Sequence, residues 1–207
     1  MPDTRTETAQ TAVADKRRAI LEAAIRVFAR QGYHSTRVAD IADEAGVAYG
    51  LVYHYFRSKE AVMTELFTER WSLLLAAGEQ VKSGPGTPRE KLAAIAGFII
   101  ESYRHDPDLM KVIIIEVTRA ANSFGRTHLP EIRQAYDQVA QIVADAQADG
   151  TFRTDIDADF VGMAYYGAVE QVLSGWVFDL KPTADEEFEA ARTMIAALIC
   201  GGLERRD

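Results

Sequence analysis

Apolar residues recur every three or four positions along most of this sequence, and this spacing limits the possible folds strongly. Such spacing puts these residues on one face of an α-helix, whereas a half-buried β-strand requires strict alternation. Segments rich in glycine and proline interrupt the pattern, most clearly at residues 83–88. The run Val112–Ile115 is also compatible with a strand, but no partner strand flanks it. We therefore predict an all-α protein of about nine helices.

The interruptions set the predicted helix boundaries. The first helix begins at Asp15, which can cap it, and ends before Gly32. The second starts near Val38 and ends at Gly46, and a longer helix opens at Ser58 and runs to the loop at residue 83. The other predicted helices cover about residues 48–55, 88–104, 107–121, 129–149, 157–179 and 184–203.

Composition restricts the class of protein further. The 207 residues are 48% hydrophobic and 26% charged, which is typical of a globular protein. Cys200 is the only cysteine, which excludes a disulfide scaffold and suits a reducing compartment. Neither a membrane span nor an apolar signal segment is recognisable, so we expect a cytoplasmic protein without a membrane partner.

The net charge of -8 is distributed unevenly along the chain. Residues 16–59 carry eight basic and four acidic side chains, a net charge of +4. Residues 71–207 carry 13 basic and 21 acidic side chains, a net charge of -8. A basic head therefore precedes an acidic body, and the negative total does not exclude a nucleic-acid partner.

Three short predicted helices lie within residues 15–60, and Gly46 separates the second from the third. Glycine adopts the positive φ of a tight turn without a steric penalty, and Ala42 is small enough for two helices to cross closely. This arrangement matches the helix-turn-helix plan, although an ordinary pair of helices within a bundle has the same spacing.

The third of these helices carries an unusual set of side chains. Its apolar residues, which include Val52 and Phe56, can face inward, and this leaves polar-tipped aromatic groups facing outward beside Gly50. Hydroxyl groups on such a face can donate hydrogen bonds to phosphates, and these bonds position a protein on a DNA duplex. A helical adaptor that does not bind DNA would leave this face without a role.

Residues 16–60 resemble the DNA-binding domain of the TetR family of transcriptional repressors. The resemblance rests on motifs in a fixed order: Ile20–Phe28, Gly32-Tyr33, Thr36, Ile41-Ala42, Ala45-Gly46-Val47, Gly50, Tyr53-His54-Tyr55-Phe56 and Lys59-Glu60. It implies a helix-turn-helix domain at residues 15–60 and a helical ligand-binding and dimerisation domain at residues 61–207. It also implies a ligand-responsive repressor that binds a palindromic double-stranded DNA operator as a homodimer. Residues 1–14 are polar, and we expect them to form a disordered arm.

The resemblance implies DNA-contacting roles for residues on both sides of the third helix. Thr36 matches a phosphate-contacting and capping position before the second helix, and Arg37 beside it can reach a phosphate or a guanine edge. Lys59 matches a phosphate clamp at the start of the following helix. Ala48 departs from the family pattern, in which a hydroxyl residue is common at this position.

Within the third helix the resemblance implies a second group of contacts. Tyr49 occupies a variable base-reading position, and Gly50 lets the backbone approach the phosphates. Tyr53 and Tyr55 match phosphate- and base-contacting positions, with His54 between them. Two alternatives remain open, namely that Tyr53 packs on the core of the head and that His54 only faces solvent.

The body supplies many apolar and aromatic residues between positions 92 and 178, and these can form either a core or an inducer pocket. Small residues on the last two predicted helices permit close helix approach, and the resemblance implies that these helices form a four-helix dimer interface. Our candidate ligand-binding residues are Phe98, Tyr103, Val117, Arg119, Tyr136, Met163, Tyr166 and Trp176.

Residues 116–119 and 167–177 also resemble the TetR-type repressors of fatty-acid degradation, which release DNA on binding long-chain acyl-CoA. This resemblance implies an acyl chain among the apolar residues, with Arg119, Arg126 or Arg133 facing the CoA phosphates. Surface positions, or ion pairs with neighbouring glutamates, explain these arginines equally well. Regulation of an efflux system by another lipophilic inducer is the alternative function.

The sequence does not favour an enzyme. His34, His54, His105 and His128 have no metal-ligand spacing, and nucleophile and phosphate-loop motifs are missing. Cys200 lies among alanine, isoleucine and glycine residues, a setting typical of a buried structural thiol. We therefore expect neither catalysis nor a bound metal or cofactor.

Overall fold

The computed structural model describes residues 4–118 and 127–204, with side chains described for residues 13–115 and 127–204. The described residues form nine α-helices and, apart from an isolated bridge between Phe152 and Glu204, no β-structure. The predicted all-α fold is confirmed. The helices are α1 (Thr4–Gln31), α2 (Val38–Ala45), α3 (Tyr49–Tyr55), α4 (Lys59–Ser83), α5 (Pro88–His105), α6 (Pro107–Thr118), α7 (Leu129–Ala148), α8 (Ala158–Val177) and α9 (Asp185–Leu203).

Helix α1 differs most from its prediction. The sequence predicts a disordered arm before Asp15, whereas the helix begins at Thr4 and passes through Asp15 without interruption. Neither glycine nor proline occurs between residues 4 and 31, and the alanine, glutamate and glutamine residues there favour helix. The segment Val112–Ile115, for which a strand was the alternative, is helical within α6.

The chain divides into two compact units, residues 1–69 and 70–207, which we call the first and second units. The sequence predicts a boundary after residue 60, where the recognisable motif ends. The structure divides the chain within α4 instead, because the first turns of this helix belong to the core of the first unit.

The core of the first unit is formed by aliphatic residues from all four of its helices. Val27 of α1, Ile41 of α2, Val52 of α3 and Val62 of α4 are fully buried. Each buried side chain of this kind contributes about 1.5–3 kcal/mol relative to an exposed one. The short helices α2 and α3 are thus held mainly by packing rather than by their own helical propensity.

The second unit packs its helices through buried aromatic and small residues. The buried Tyr165 hydroxyl donates a hydrogen bond to the Leu92 carbonyl at 2.6 Å, which joins α8 to α5. A Cβ on Gly162 would lie 2.7 Å from the Tyr136 carbonyl oxygen, so this glycine lets α8 approach α7 closely. Cys200 is fully buried in α9.

Across the described ranges, every helix is too short or too polar to cross a membrane.

Candidate DNA-binding surface and ligand cavity

A tight turn at Gly46 joins α2 to α3. Gly46 has φ 64°, a left-handed conformation that a residue with a Cβ adopts at a cost. The amide of Val47 donates to the Ala42 carbonyl at 3.0 Å, which closes the end of α2. Ala42 is buried, and its small side chain allows the two helices to cross at this point. The turn therefore fixes the direction of α3 relative to α2.

Helix α3 has one buried face and one exposed face. Val52 and Phe56 are buried, and Leu51 is half-buried. The opposite face is exposed over Tyr49, Gly50, Tyr53 and His54, with Tyr55 half-buried beside it. The orientation predicted from the sequence agrees with this arrangement, and Tyr53 does not pack into the core of the unit.

Tyr49 and Tyr53 form a pair on the exposed face. Their ring centroids are 4.8 Å apart, and the side chains are 51% and 43% exposed. A hydrogen bond with Tyr53 raises the pKa of the Tyr49 hydroxyl, so the two phenol groups are linked to each other on this face. The pair therefore presents two neighbouring phenol groups, with their rings tilted by 59°, at the surface of the first unit.

Gly50 lies between these tyrosines without a packing reason for its missing side chain. A Cβ at this position would meet no atom within 4 Å, and φ at Gly50 is not positive. Glycine costs about 1 kcal/mol relative to alanine inside a helix. Neither the turn geometry nor the internal packing therefore requires this glycine.

Thr36 has a different role from the one predicted. Its side chain is 2% exposed, and its hydroxyl donates to the Gly32 carbonyl at 2.8 Å. The residue that caps α2 is Arg37, whose amide donates to the Asp40 carboxylate at 2.8 Å. Because the Thr36 hydroxyl is turned into the loop between α1 and α2, it stabilises that loop and is not presented to a phosphate.

Lys59 is also placed differently from the prediction. Its ammonium group donates to the carbonyl oxygens of Tyr33, His34 and Thr36 at 2.9, 3.1 and 3.0 Å. The same nitrogen lies 4.6 Å from the centre of the Tyr33 ring. This environment argues against the predicted phosphate clamp, because the carbonyl groups occupy the donors of the ammonium.

Most other cations of the first unit are paired with carboxylates. Arg17 pairs with Glu65, and Arg18 pairs with Glu22. Arg26 and Arg30 both bind Glu44, which ties α1 to α2. Arg37 at the start of α2 and Arg57 after the end of α3 are exposed, and neither forms a salt bridge among the described residues, although Asp40 lies beside Arg37.

The second unit contains a cavity of about 320 Å³ among five helices, α4 to α8. This volume lies at the lower end of the range of small-molecule pockets. The lining is mainly hydrocarbon and aromatic, with a few polar groups. It consists of Arg70, Trp71, Leu74, Phe98, Ile99, Ser102, Met110, Ile113, Ile114, Ile132, Tyr136, Tyr166, Val169, Glu170 and Leu173.

Two tyrosines of the cavity lining lie beside each other. The rings of Tyr136 and Tyr166 are 5.1 Å apart. Burial, and secondarily the charge of Glu170, raises the pKa of Tyr136, while burial raises the pKa of Tyr166 further. Both phenols are therefore neutral donors at physiological pH. Ser102 is less available, because its hydroxyl donates to the Phe98 carbonyl at 2.9 Å.

The structure separates the predicted ligand-binding residues into three groups. Phe98, Tyr136 and Tyr166 line the cavity. Tyr103 and Trp176 do not line it, because their rings pack with each other and with Phe188. The ring centroids are 5.5 Å apart between Tyr103 and Trp176, 6.2 Å between Tyr103 and Phe188, and 4.8 Å between Trp176 and Phe188. The third group consists of Val117, Arg119 and Met163.

Met163 is 53% exposed on the outer face of α8, so the prediction that it lines the cavity is wrong. The periodicity that places apolar residues on one side of a helix does not say whether that side meets a cavity or the surface. Arg119 and Arg126 lie outside the described residues, and so does the side chain of Val117. Arg133 is exposed on α7.

Sequence reasoning missed the contribution of α4 to the cavity. Arg70, Trp71 and Leu74 lie before the segment 92–178, where the candidates were sought. The available signal was the apolar spacing of Phe67, Trp71 and Leu74, which continues the buried face of α4 beyond the first unit.

Helices α8 and α9 expose an apolar stripe. Phe160, Met163, Met194 and Leu198 are 60%, 53%, 55% and 72% exposed. Gly167 and Gly201 lie on the same faces, and a Cβ on either would meet open space. Solvent exposure of several large apolar side chains at helical spacing indicates a protein-contact surface. Among the described residues there is no cluster of three metal-ligating side chains.

The structure combines a helix-turn-helix that has an exposed aromatic face with a helical unit that contains a cavity. This combination is typical of DNA-binding regulators that respond to a ligand. Residues 20–66 match the family described as bacterial regulatory proteins, tetR family. Residues 88–199 match the tetracyclin repressor-like C-terminal domain. The chain therefore belongs to the tetR family of bacterial regulatory proteins.

Individual relatives cover nearly the whole chain. The fatty acid metabolism regulator protein of Bacillus subtilis is 26% identical over 90% of this chain and 95% of its own length. The transcriptional repressor KstR2 of Mycolicibacterium smegmatis is 28% identical over 92% of this chain and 91% of its own. The crystal structure of FadR from Bacillus subtilis in complex with stearoyl-CoA superimposes with a TM-score of 0.78 at 23% identity, over 89% of this chain and 97% of that one.

Proposed function

We propose that this protein is a ligand-responsive transcriptional repressor that binds a palindromic operator as a homodimer. The observation that carries the proposal is the exposed face of α3, where Tyr49 and Tyr53 flank a glycine that the fold itself does not require. Among bacterial regulators of this family, such a helix enters the major groove. The protein would act in the cytoplasm, where the chromosome lies, and without a catalytic step.

Each helix-turn-helix would contribute one half of the DNA contacts. The phenols of Tyr49 and Tyr53 and the imidazole of His54 are positioned to donate to phosphates or base edges. The backbone at Gly50 can come close to the duplex because no side chain intervenes. Arg37 supplies an exposed cation at the start of α2, beside the Asp40 carboxylate that accepts from its amide.

The exposed apolar stripe on α8 and α9 supports dimerisation through these two helices. Two copies related by a two-fold axis would bury Phe160, Met163, Met194 and Leu198 in a four-helix interface. The glycines on the stripe would permit close contact between helices of the two copies. A two-fold dimer also matches the symmetry of a palindromic site with half-sites one helical turn, or a multiple of a turn, apart.

The cavity of the second unit supports a lipophilic inducer. Its lining is mainly apolar, and a few polar groups can orient a bound molecule. A long-chain acyl-CoA is our first candidate, because one relative regulates fatty acid metabolism and another was crystallised with stearoyl-CoA. Inducer binding would favour a conformation in which the two heads no longer match the half-sites, and DNA affinity would fall by a population shift.

The DNA-binding part of the proposal is tested by a gel shift with the DNA upstream of the protein's own gene. Wild type is expected to bind, and Tyr53→Ala is expected to weaken binding at least tenfold with little change in Tm, because the Tyr53 side chain lies on the exposed face of α3. Leu73→Ala, at an exposed position of the second unit, is the matched control. Equal binding by Tyr53→Ala and wild type would remove Tyr53 from the interface.

The inducer is tested by titrating acyl-CoAs of increasing chain length into the protein–DNA complex. Release at micromolar concentration, with a maximum at one chain length, is the expected result. Absence of release at every chain length would eliminate acyl-CoA, and release by a lipophilic drug instead would favour the efflux alternative. Mass spectrometry of small molecules that co-purify with the protein provides an independent identification.

A further inference from the structure

Two cations that follow α3, Arg57 and Lys59, occupy opposite environments although only one residue separates them. The Arg57 side chain is exposed directly after the C-terminal end of α3. The Lys59 ammonium is surrounded by backbone carbonyl groups of the loop between α1 and α2. The family resemblance implies the phosphate-binding role for Lys59.

The bonding of Lys59 leaves no donor for a phosphate. An ammonium group has three N–H donors and no acceptor. The Tyr33, His34 and Thr36 carbonyls lie 2.9, 3.1 and 3.0 Å from Nζ, so each donor has an acceptor within the protein. The Tyr33 ring, 4.6 Å away, adds a cation–π contact. A phosphate would have to displace at least one of these interactions.

The three carbonyls place Lys59 between two DNA-facing segments. Lys59 is the first residue of α4, and only three residues separate it from the end of α3. The carbonyls belong to the loop that leads directly to Arg37 and α2. The ammonium therefore ties the exit of α3 to the entrance of α2.

Salt bridges within the first unit reduce the number of cations that are available to bind a phosphate. Arg17, Arg18, Arg26 and Arg30 are each engaged with a carboxylate. Among the described residues of the first unit, Lys16, Arg37 and Arg57 are exposed and have no salt bridge, and of these Arg57 lies nearest in the chain to α3, three residues after His54. Its guanidinium can bind a phosphate through two parallel hydrogen bonds.

We propose that Arg57 supplies the phosphate contact beyond the C-terminal end of α3, and that Lys59 is a positioning residue that does not touch DNA. The proposal rests on the DNA-binding function proposed above. Arg57 acts as a charge at the duplex, while Lys59 acts through the loop at residues 33–36 and sets the orientation of α2 relative to α3.

Salt dependence separates the two roles, because each phosphate contact made by a cation steepens the fall of affinity with salt. Affinity is measured by fluorescence anisotropy between about 50 and 200 mM salt. A labelled duplex of random sequence is used beside the fragment from the gel shift, since phosphate contacts are independent of sequence. The variants are Arg57→Gln and Lys59→Met, and Lys181→Gln in the second unit controls for the loss of one positive charge.

Arg57→Gln is expected to reduce the slope of log K against log salt by about 0.9 per protomer, or about 1.8 for a dimer. Its Tm should be unchanged. Lys59→Met should leave the slope unchanged, lower the affinity of the folded protein at every salt concentration, and lower Tm by roughly 3–8 °C. A lysine with a purely structural role would lower Tm without changing the affinity of the folded protein.

Two results would overturn the proposal: a reduced slope for Lys59→Met, or an unchanged slope for Arg57→Gln. If Lys59→Met does not fold, NMR of the wild-type lysine ammonium groups gives the same decision. A slowly exchanging Lys59 signal that stays unchanged on addition of DNA supports the proposal, and a signal that appears or shifts strongly only with DNA contradicts it. Wild type that binds random DNA but not the upstream fragment would contradict the choice of operator and leave these comparisons valid.

Discussion

The two units of this protein use their exposed and buried surfaces in opposite ways. In the first unit, polar-tipped aromatic residues and arginines lie on the outside of α3 and beside it, over a small aliphatic core. In the second unit, tyrosines and charged groups line an internal cavity, while large apolar side chains such as Leu198 are exposed.

This difference follows from the kind of partner that each unit is suited to. A DNA duplex is a large, negatively charged object, so the groups that contact it must lie outside and near one another. A small lipophilic molecule is bound by enclosure, so its contacts come from several helices. The exposed apolar stripe suits a third partner, a second copy of the chain.

Charges placed in the exposed apolar stripe of α8 and α9 should impair this protein most. Replacing both Met194 and Leu198 by Glu would place two charges per copy in the proposed interface. We expect a monomer in sedimentation analysis and a loss of operator affinity of about 100-fold or more, because two linked heads bind far more tightly than one. Gln134→Glu, at an exposed position of α7, adds a charge elsewhere and should stay dimeric. A dimeric double variant would show that the interface lies on other helices.

Val52 and Tyr53 are adjacent in α3 and lie on its buried and its exposed face, so their variants test the roles of these two faces. Val52→Ala should lower the free energy of unfolding by about 2 kcal/mol, because it removes two buried methyl groups and leaves a small cavity. Tyr53→Ala should leave it nearly unchanged while DNA binding falls. Chemical denaturation and anisotropy measure the two quantities separately. Equal destabilisation by the two variants would mean that the outward face of α3 is part of the core.

Removal of the Tyr136 hydroxyl tests whether the cavity of the second unit binds the inducer. Tyr136→Phe should weaken inducer binding about fivefold, in accordance with roughly 1 kcal/mol for one hydrogen bond, and leave DNA binding without inducer unchanged. Tyr103→Phe is the matched control, because Tyr103 packs with Trp176 and Phe188 and does not line the cavity. Titration of inducer into each protein gives the comparison, and a larger effect of Tyr103→Phe would locate the ligand elsewhere.

Gly50→Ala should separate stability from function in the first unit. The variant is expected to raise the free energy of unfolding by about 0.5–1 kcal/mol, because alanine favours helix and its Cβ meets open space. The same methyl group should weaken operator binding several-fold. Thermal unfolding and gel shifts would show these opposite effects, and unchanged DNA affinity would mean that the duplex does not approach this backbone.

The smallest expected effect concerns the ion pairs between α1 and α2. Hydrogen bonds from Arg26, then Arg30, lower the pKa of Glu44 from its ordinary value of 4.5. The stabilisation is therefore fully present above about pH 4.5 and is lost as the pH falls through the lower pKa of the folded state. We expect Glu44→Gln to lower Tm slightly at neutral pH and to match wild type at strongly acidic pH. A Tm difference that grows on acidification would contradict this assignment.

Local patterns were sufficient for the helices and for the helix-turn-helix. Gly46 and the residues around it lie within one short segment, so their spacing reports the turn directly. The outward direction of Tyr49 and Tyr53 follows from helical periodicity once Val52 is placed in the core. The start of α1 was missed, because polarity by itself does not decide between a solvated helix and a disordered segment.

The cavity is less accessible to such reasoning, because its lining comes from five helices. Tyr103 and Tyr136 are both aromatic residues on amphipathic helices, yet one packs against Trp176 and the other faces the cavity. Met163 belongs to the same apolar pattern and lies on the outer surface. Periodicity identifies the apolar face of each helix, but the neighbour of that face depends on how the helices pack.

Short-range spacing and charge are enough to establish the all-α class, the helix-turn-helix and the separation of a basic head from an acidic body. The lining of the cavity, the exposure of particular apolar residues and the surroundings of the Lys59 ammonium depend on how distant segments pack. The acceptors of the Lys59 ammonium are carbonyls about 25 residues away in the chain, and only folding brings them to within 3.1 Å of it.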